Sequence, residues 1–308
     1  MAIADDRLSA RTADAERVAL LALLRLRPDK MSWPEIASEV ALRGSALTLW
    51  HEIYPLALDG MGGEEGAALD RAAADWAGWA HSAFDVLTVL DEAYPASLKA
   101  IHQMPPLLFT RGEVRATETA VSVVGSRAAS ADGVRIAENV ARGLVERGVT
   151  VLSGLAAGID TAAHRAVIEA GGRPVGVIGT GIMKSYPAEN RWLHNAVAEH
   201  GALISQFLPD APPQKQNFPM RNATMSGLGV ASVIVEASEH SGARIQARVA
   251  VEHGRPVILT NLVAERTQWG RELRGRPGVF LASRTVEVMQ IVERLIEDSK
   301  ESVLPVLC

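Results

Sequence analysis

The amino-acid sequence predicts an α/β chain in which a doubly wound, mainly parallel sheet follows a small all-helical unit. Three observations carry this reading. From Val121 onward, short β-branched apolar runs alternate with amphipathic stretches of helix length, the pattern of parallel strands covered on both faces by crossover helices. In the first 85 residues the apolar side chains recur instead at helical spacing. At 308 residues, 48% hydrophobic and 22% charged, the chain has the length and composition for one large domain or two modest ones around a sizeable core.

Residues 13–26 place Val18, Leu21 and Leu24 on one helical face, and Pro28 stops that run. Ser32-Trp33-Pro34-Glu35 reads as a capping box with proline near the first helical position, so a second helix is expected through Ile36, Val40 and Ala41. Asp59 to Gly66 reads as a flexible connector. A third helix is expected from Ala67 to about His81, aligning Leu69, Ala72, Ala73, Trp76 and Ala80. The helices around Pro28 are open to two readings, a helix-turn-helix or a plain packed bundle, of which the bundle is preferred. Residues 86–120 form a connector into the sheet.

The expected strands are 121–124, 149–152, 174–178, 202–205, 231–235 and 256–259. Between the first two, Gly133 to Arg147 sets Ile136, Val140 and Leu144 on one face and ends at Gly148. From Phe280 the chain is expected to close as a helix with Val286, Met289, Val292 and Leu295. The layout is therefore a helical domain over 1–85, a connector over 86–120, a Rossmann-like domain over 121–285, and a C-terminal helix and tail over 286–308.

No apolar run reaches the roughly 18 residues of a membrane span, and the start, Met1 to Arg7, lacks a basic segment followed by an apolar one. The sole cysteine is Cys308, which excludes an internal disulfide framework and cysteine-based zinc sites and fits a reducing cytoplasm. Net charge is −5, unevenly spread. Residues 1–120 hold 11 Lys+Arg against 18 Asp+Glu, residues 121–260 hold 13 against 11, and the remainder balances at 7 each. The middle segment is thus locally basic, and a local patch decides whether phosphate binds.

In a doubly wound sheet, ligands bind beyond the carboxyl ends of the strands, where the backbone turns into helix N-termini. Four such turns are rich in small and polar residues: Gly125-Ser126-Arg127; Ser153-Gly154 through Gly158 to Asp160, with His164 one turn on; Gly179-Thr180-Gly181 with Lys184; and Glu236 through Ser241-Gly242. All are expected on one sheet edge, which favours a phosphate-binding groove. Arg127 would pair bidentately with phosphate there. Asp160 and His164 admit an orienter–base pair, but a capping carboxylate and a structural histidine are preferred. Glu236 is likewise read as an acceptor for loop amides ahead of a catalytic carboxylate.

Several enzyme motifs are missing. No G-x-G-x-x-G follows the first strand, so a dinucleotide cofactor is disfavoured, and Met183 stands where a Walker A loop requires glycine. No metal-spaced His or carboxylate cluster and no G-x-S-x-G elbow appears. No cofactor or metal is expected. The segment Pro209 to Asn222 is richer, bringing Lys215, Asn217, Phe218, Arg221 and Asn222 together before a helix expected to begin near Pro219. Basic groups along a backbone with an aromatic for an unpaired base are what single-strand binding requires. The other reading of Phe218 is a core staple at the helix start.

Read in order, these stretches resemble the DNA-processing protein A (DprA/Smf) family. The matching residues are Tyr94-Pro95 with Leu98; Pro105-Pro106-Leu107 with Phe109 and Gly112; Val124 to Arg127; Ser153 to Asp160 with Ala163-His164; Gly179-Thr180-Gly181 with Tyr186-Pro187 and Glu189-Asn190-Arg191; Asn217 to Asn222; and Glu236 with Ser241-Gly242. The resemblance covers roughly residues 86–262. It implies a non-enzymatic protein that binds and protects single-stranded DNA and helps load the RecA recombinase in natural transformation, acting as a homodimer through the Rossmann-like domain. The strand-binding residues it implies are Gly125, Ser126, Arg127, Lys215, Asn217, Phe218, Arg221 and Asn222. Three features depart from the family pattern: Ala223 stands where the family carries a further arginine, residues 243–247 read Ala-Arg-Ile-Gln-Ala, and little room remains for a C-terminal winged helix. The alternative from another class is a nucleotide-sensing or nucleotide-cleaving Rossmann protein of the kind a defence system would use.

Overall fold

A helix begins the chain: α1 (Ala2–Leu26) buries Ala19, Leu20, Leu23 and Leu24 and ends where Arg27 turns left-handed before Pro28. The computed structural model describes residues 2–55 and 63–301, with side chains described within 12–55 and 63–299. The capping box at Ser32 forms as expected. Ser32 N donates to Glu35 Oε2 at 2.6 Å and Glu35 N to Ser32 Oγ at 3.4 Å, starting α2 (Trp33–Arg43). Gly44, left-handed, ends it. Ser45 then caps a helix that periodicity had not isolated, α3 (Ala46–Ile53), with Glu16 accepting from Ala46 N at 2.6 Å. Eight residues are too few for a clear period, but the Gly44-Ser45 stop-and-cap pair marks them.

α4 (Glu64–Trp79) starts earlier than expected. Glu64 to Gly66, read as connector, are helical, since Glu64 and Glu65 suit the positive end of a helix dipole. The connector's earlier residues, up to Gly62, lie outside the described residues, as does Cys308. α1 packs on α3 and α4, with Trp76 Nε1 donating to Asp14 at 2.9 Å, so these helices form a packed bundle. One compact unit comprises this bundle, β1 (Asp85–Thr88) and residues to Tyr94, together with 104–108.

The second unit holds residues 95–103 and the chain from Phe109. The segment 86–120, expected as connector, contains strand β2 (Leu107–Gly112), whose Phe109–Gly112 pair antiparallel with β6 (Ala202–Ser205). The parallel strands are β3 (Ala120–Val124), β4 (Thr150–Ser153), β5 (Pro174–Val177), β6, β7 (Ala231–Ile234), β8 (Val257–Thr260) and β9 (Val279–Ala282). Together with the antiparallel β2 they run in the order β2-β6-β5-β4-β3-β7-β8-β9. Strand β9 corrects the expected helix from Phe280. Phe280 pairs with Ile258, and the closing helix α12 (Thr285–Glu301) starts only after Ser283-Arg284.

Alternation along the strands assigns the helices to faces. Val121 and Val123 join the core formed with α5 (Ala131–Val145), α6 (Ile159–Glu169) and α12. Each fully buried Val or Leu in it, such as Val140 and Leu144, contributes about 1.5–3 kcal/mol. Ser122, between them, points the other way and donates to Met225 O of α8 (Asn217–Leu228) at 3.5 Å. Ser232 likewise meets Gln246 of α9 (Gly242–Glu252) at 3.1 Å. α7 (Arg191–His200) packs on α6, and the short α10 (Asn261–Ala264) and α11 (Gln268–Leu273) lead to β9. Among the described residues no helix is long and apolar enough to cross a membrane.

Candidate functional site

The turns after β3, β4 and β7 and the start of α8 converge on one cleft. After β3, Ser126 N donates to Glu236 O at 2.7 Å and Ser126 O accepts from Ile159 N at 3.2 Å, which pins the loop to the end of β7 and the start of α6. Glu236 Oε2 accepts from Ser130 N at 2.9 Å and from its Oγ at 3.1 Å, while Ser130 caps α5 through Gly133 N. Glu236 is therefore a structural acceptor, the preferred reading. The main chain of Gly125-Ser126-Arg127 is held from both sides while the Arg127 side chain is exposed.

The turn after β4 is wound tightly. Leu155 and Gly158 both take positive φ, and a Cβ at Gly158 would overlap Ser126 O, so glycine is required there. Asp160, buried, accepts from Gly154 N at 3.0 Å and Ala156 N at 3.4 Å. Burial pushes its carboxyl pKa up, while Arg221 and the N–H groups of the turn pull it back. His164 is wholly buried and its pKa is pushed down to about 4, chiefly by that burial, so it is neutral at pH 7. The carboxylate serves the turn, and His164 does not line the cleft, which supports the structural reading of this pair.

Helix α8 begins at Asn217, two residues before the expected start at Pro219. Asn217 is buried, and its Nδ2 reaches Pro212 O at 3.5 Å. Arg221 is also buried. Its Nη1 donates to Val177 O at 2.8 Å and its guanidinium lies so close to Gly154 that a Cβ there would overlap it. Burial pulls the Arg221 pKa down and Asp160 pulls it up. Asn222 Nδ2 donates to Gly242 O at 3.3 Å, tying α8 to α9. Phe218 is half-buried, with the Arg127 guanidinium 5.3 Å from its ring centroid and the Tyr186 ring 5.7 Å away at 49°.

The resulting cleft has a volume of about 430 Å³. It gathers Gly125, Ser126, Arg127, Phe218, Arg221 and Asn222 from the expected set, whereas Lys215, exposed, and Asn217 do not line it. Its far wall is the start of α9, with His240, the capping Ser241, Gly242 and Gln246. The turn with Ser241-Gly242 was expected on the same sheet edge as Arg127, and it lies there; His240 and Gln246 carried no local signal that assigned them to this cleft. Arg127 and the helix N-terminus make the cleft a site for anions, Arg221 in its lining faces the buried Asp160 carboxyl, and the Phe218 ring adds an apolar face.

Comparison with known proteins places the chain in a family. The family model "DNA recombination-mediator protein A" matches residues 85–285. DNA processing protein DprA of Bacillus subtilis is 36% identical over 184 residues, covering 59% of this chain and 62% of the relative. That of Streptococcus pneumoniae is 39% identical over 176 residues, covering 57% and 62%. The matched region thus spans about three-fifths of the length of these curated relatives. Among solved structures, DNA processing protein A from Streptococcus pneumoniae superposes with a TM-score of 0.64 at 27% identity, covering 89% of this chain and 92% of that one. DNA processing protein A from Helicobacter pylori, described for its single-stranded DNA binding mode, shares the fold with a TM-score of 0.61 at 21% identity, covering 71% and 98%. On the family match across residues 85–285, joined to the same motifs set around one cleft, the chain belongs to the DNA recombination-mediator protein A family.

Proposed function

We propose that this protein binds single-stranded DNA in the cleft between the β3 turn and α8 and α9, and acts as a non-enzymatic recombination mediator. The observation that carries the reading is the half-buried Phe218 ring, with the Arg127 guanidinium 5.3 Å from its centroid, on the wall of an anion-attracting cleft. Phosphates lie along Arg127 and the main chain of Gly125-Ser126, and an unpaired base stacks on Phe218. Arg221 and Asn222, buried and bonded to Val177 O and Gly242 O, shape the floor. Asn217 holds the loop that presents Lys215, whose exposed ammonium meets a neighbouring phosphate. In this reading the protein works in the cytoplasm as a homodimer, protects incoming strands during natural transformation and passes them to RecA. The relatives described as DNA processing proteins support it.

The test is binding at matched salt. Single-stranded oligonucleotide should bind more tightly than duplex, whose bases are already stacked, and affinity should fall with salt as counterions are released. Equal or tighter binding to duplex overturns the reading. A volume of about 430 Å³ also falls in the range of small-ligand sites, so a nucleotide-hydrolysis assay accompanies it. Turnover of free nucleotides would favour the nucleotide-cleaving alternative.

A further inference from the structure

Beside the main cleft lies a second cavity of about 90 Å³. Its walls come from two loops: Ala156-Ala157 after β4, and Gly179-Thr180 with Tyr186-Pro187 after β5. Phe218, Arg127 and Arg221 line both cavities, so the Phe218 ring and its cation stand between them. Tyr186 is 39% exposed although it packs against Phe218 at 5.7 Å. A large aromatic left that open beside a basic cleft is a stacking surface without an occupant in the chain itself. The volume is well below the roughly 300–1,000 Å³ of a cavity that encloses a whole ligand, so the notch admits one ring entering edge-on and not a nucleotide.

We infer that this notch holds a second unpaired nucleobase, stacked on Tyr186, with Arg127 gripping the phosphate that links it to the base on Phe218. The inference rests on the single-strand reading and deepens it: the bound unit is a dinucleotide step with one base on each side of the Phe218–Arg127 partition. Every base has a stackable face, so such a notch accepts any sequence. The chemistry recognised is an aromatic base held within a strand; a free nucleotide offers the same ring without the second base and the linking phosphate.

The experiment measures affinity for an oligothymidylate, for the same oligomer carrying abasic sugars, and for competing dTMP. Tyr186→Ala should weaken oligothymidylate binding about tenfold or more with its salt slope unchanged, measured well below a melting transition that falls by only a few degrees. Tyr186→Phe, which keeps the ring, should bind as wild type. The abasic oligomer should bind both wild type and Tyr186→Ala equally weakly, and dTMP should not compete. Wild-type affinity in Tyr186→Ala would overturn the inference while leaving the single-strand reading standing. Failure of the wild type itself to bind oligothymidylate would remove that reading first. Competition by dTMP would make the occupant a free nucleotide and overturn the strand assignment. If Tyr186→Ala does not fold, photo-crosslinking of an iodouracil oligomer to wild type decides. A crosslinked peptide containing Tyr186 supports the notch, and crosslinks that leave Tyr186 out overturn it.

Discussion

Removing the Phe218 ring should lower both affinity and stability, by separable amounts. The ring is half-buried, so Phe218→Ala forfeits about half of the 3–5 kcal/mol typical of a core phenylalanine, or about 2 kcal/mol. At about 2.1 cal/mol/K of unfolding entropy per residue, that lowers the melting temperature of a 308-residue chain by about 3 °C. In the folded protein the lost base stack costs about 1–3 kcal/mol of binding. Arg127 also loses the ring beneath it, worth about 0.5–1 kcal/mol at an exposed site. No charge is removed, so the slope of log affinity against log salt should not change. Fluorescence anisotropy with labelled oligothymidylate across a salt series, well below the melting transition, reads both quantities. Combining Phe218→Ala with Arg127→Ala should reveal a coupling of about 0.5–1 kcal/mol. Wild-type affinity in the folded variant would mean that the ring is only a staple at the start of α8. A salt slope reduced by a full unit would mean that the variant had disturbed phosphate contacts and not stacking.

Four further outcomes are expected. Arg127→Ala, truncating an exposed guanidinium, should weaken binding by about 1–3 kcal/mol with little change in melting temperature; intact binding or unfolding would displace it from the site. Lys215→Ala should weaken binding to all sequences alike and reduce the salt slope by about one unit, read by the same anisotropy series. Gly154→Ala should push the Arg221 guanidinium from its place under the turn and destabilise the fold by about 1–3 kcal/mol, so an unchanged denaturant midpoint would refute that packing. His164 and His194 have folded pKa values pushed down to about 4, mainly by burial, and both take up protons on unfolding. Stability should therefore be full above about pH 6.5 and fall by about 1.4 kcal/mol per pH unit for each as pH drops toward 4, and melting curves of wild type and His164→Gln across that window should differ in slope.

The parallel sheet and its order of strands and helices were legible because both are written locally. Apolar runs such as Val121–Val124 and amphipathic stretches such as Gly133–Arg147 each carry their own period, and capping signals such as Ser32-Glu35 mark where helices start. Gly125-Ser126-Arg127 at a strand end placed half of the cleft by the same local logic. The rest depended on contacts between segments far apart in the chain. Residues 279–282 are too short and uniformly apolar to choose between strand and helix; pairing with β8 decides it. Residues 107–112 become a strand because the edge of β6 offers them an antiparallel partner. Arg221 looked like a free cation in a basic loop, yet the Val177 carbonyl and the space left by Gly154 draw it into the floor. Tyr186 and Phe218 meet only because the loop after β5 and the start of α8 lie at the same sheet edge. Periodicity and capping are properties of neighbouring residues, whereas the burial of an arginine and the meeting of two rings are set by which loops the finished sheet brings side by side.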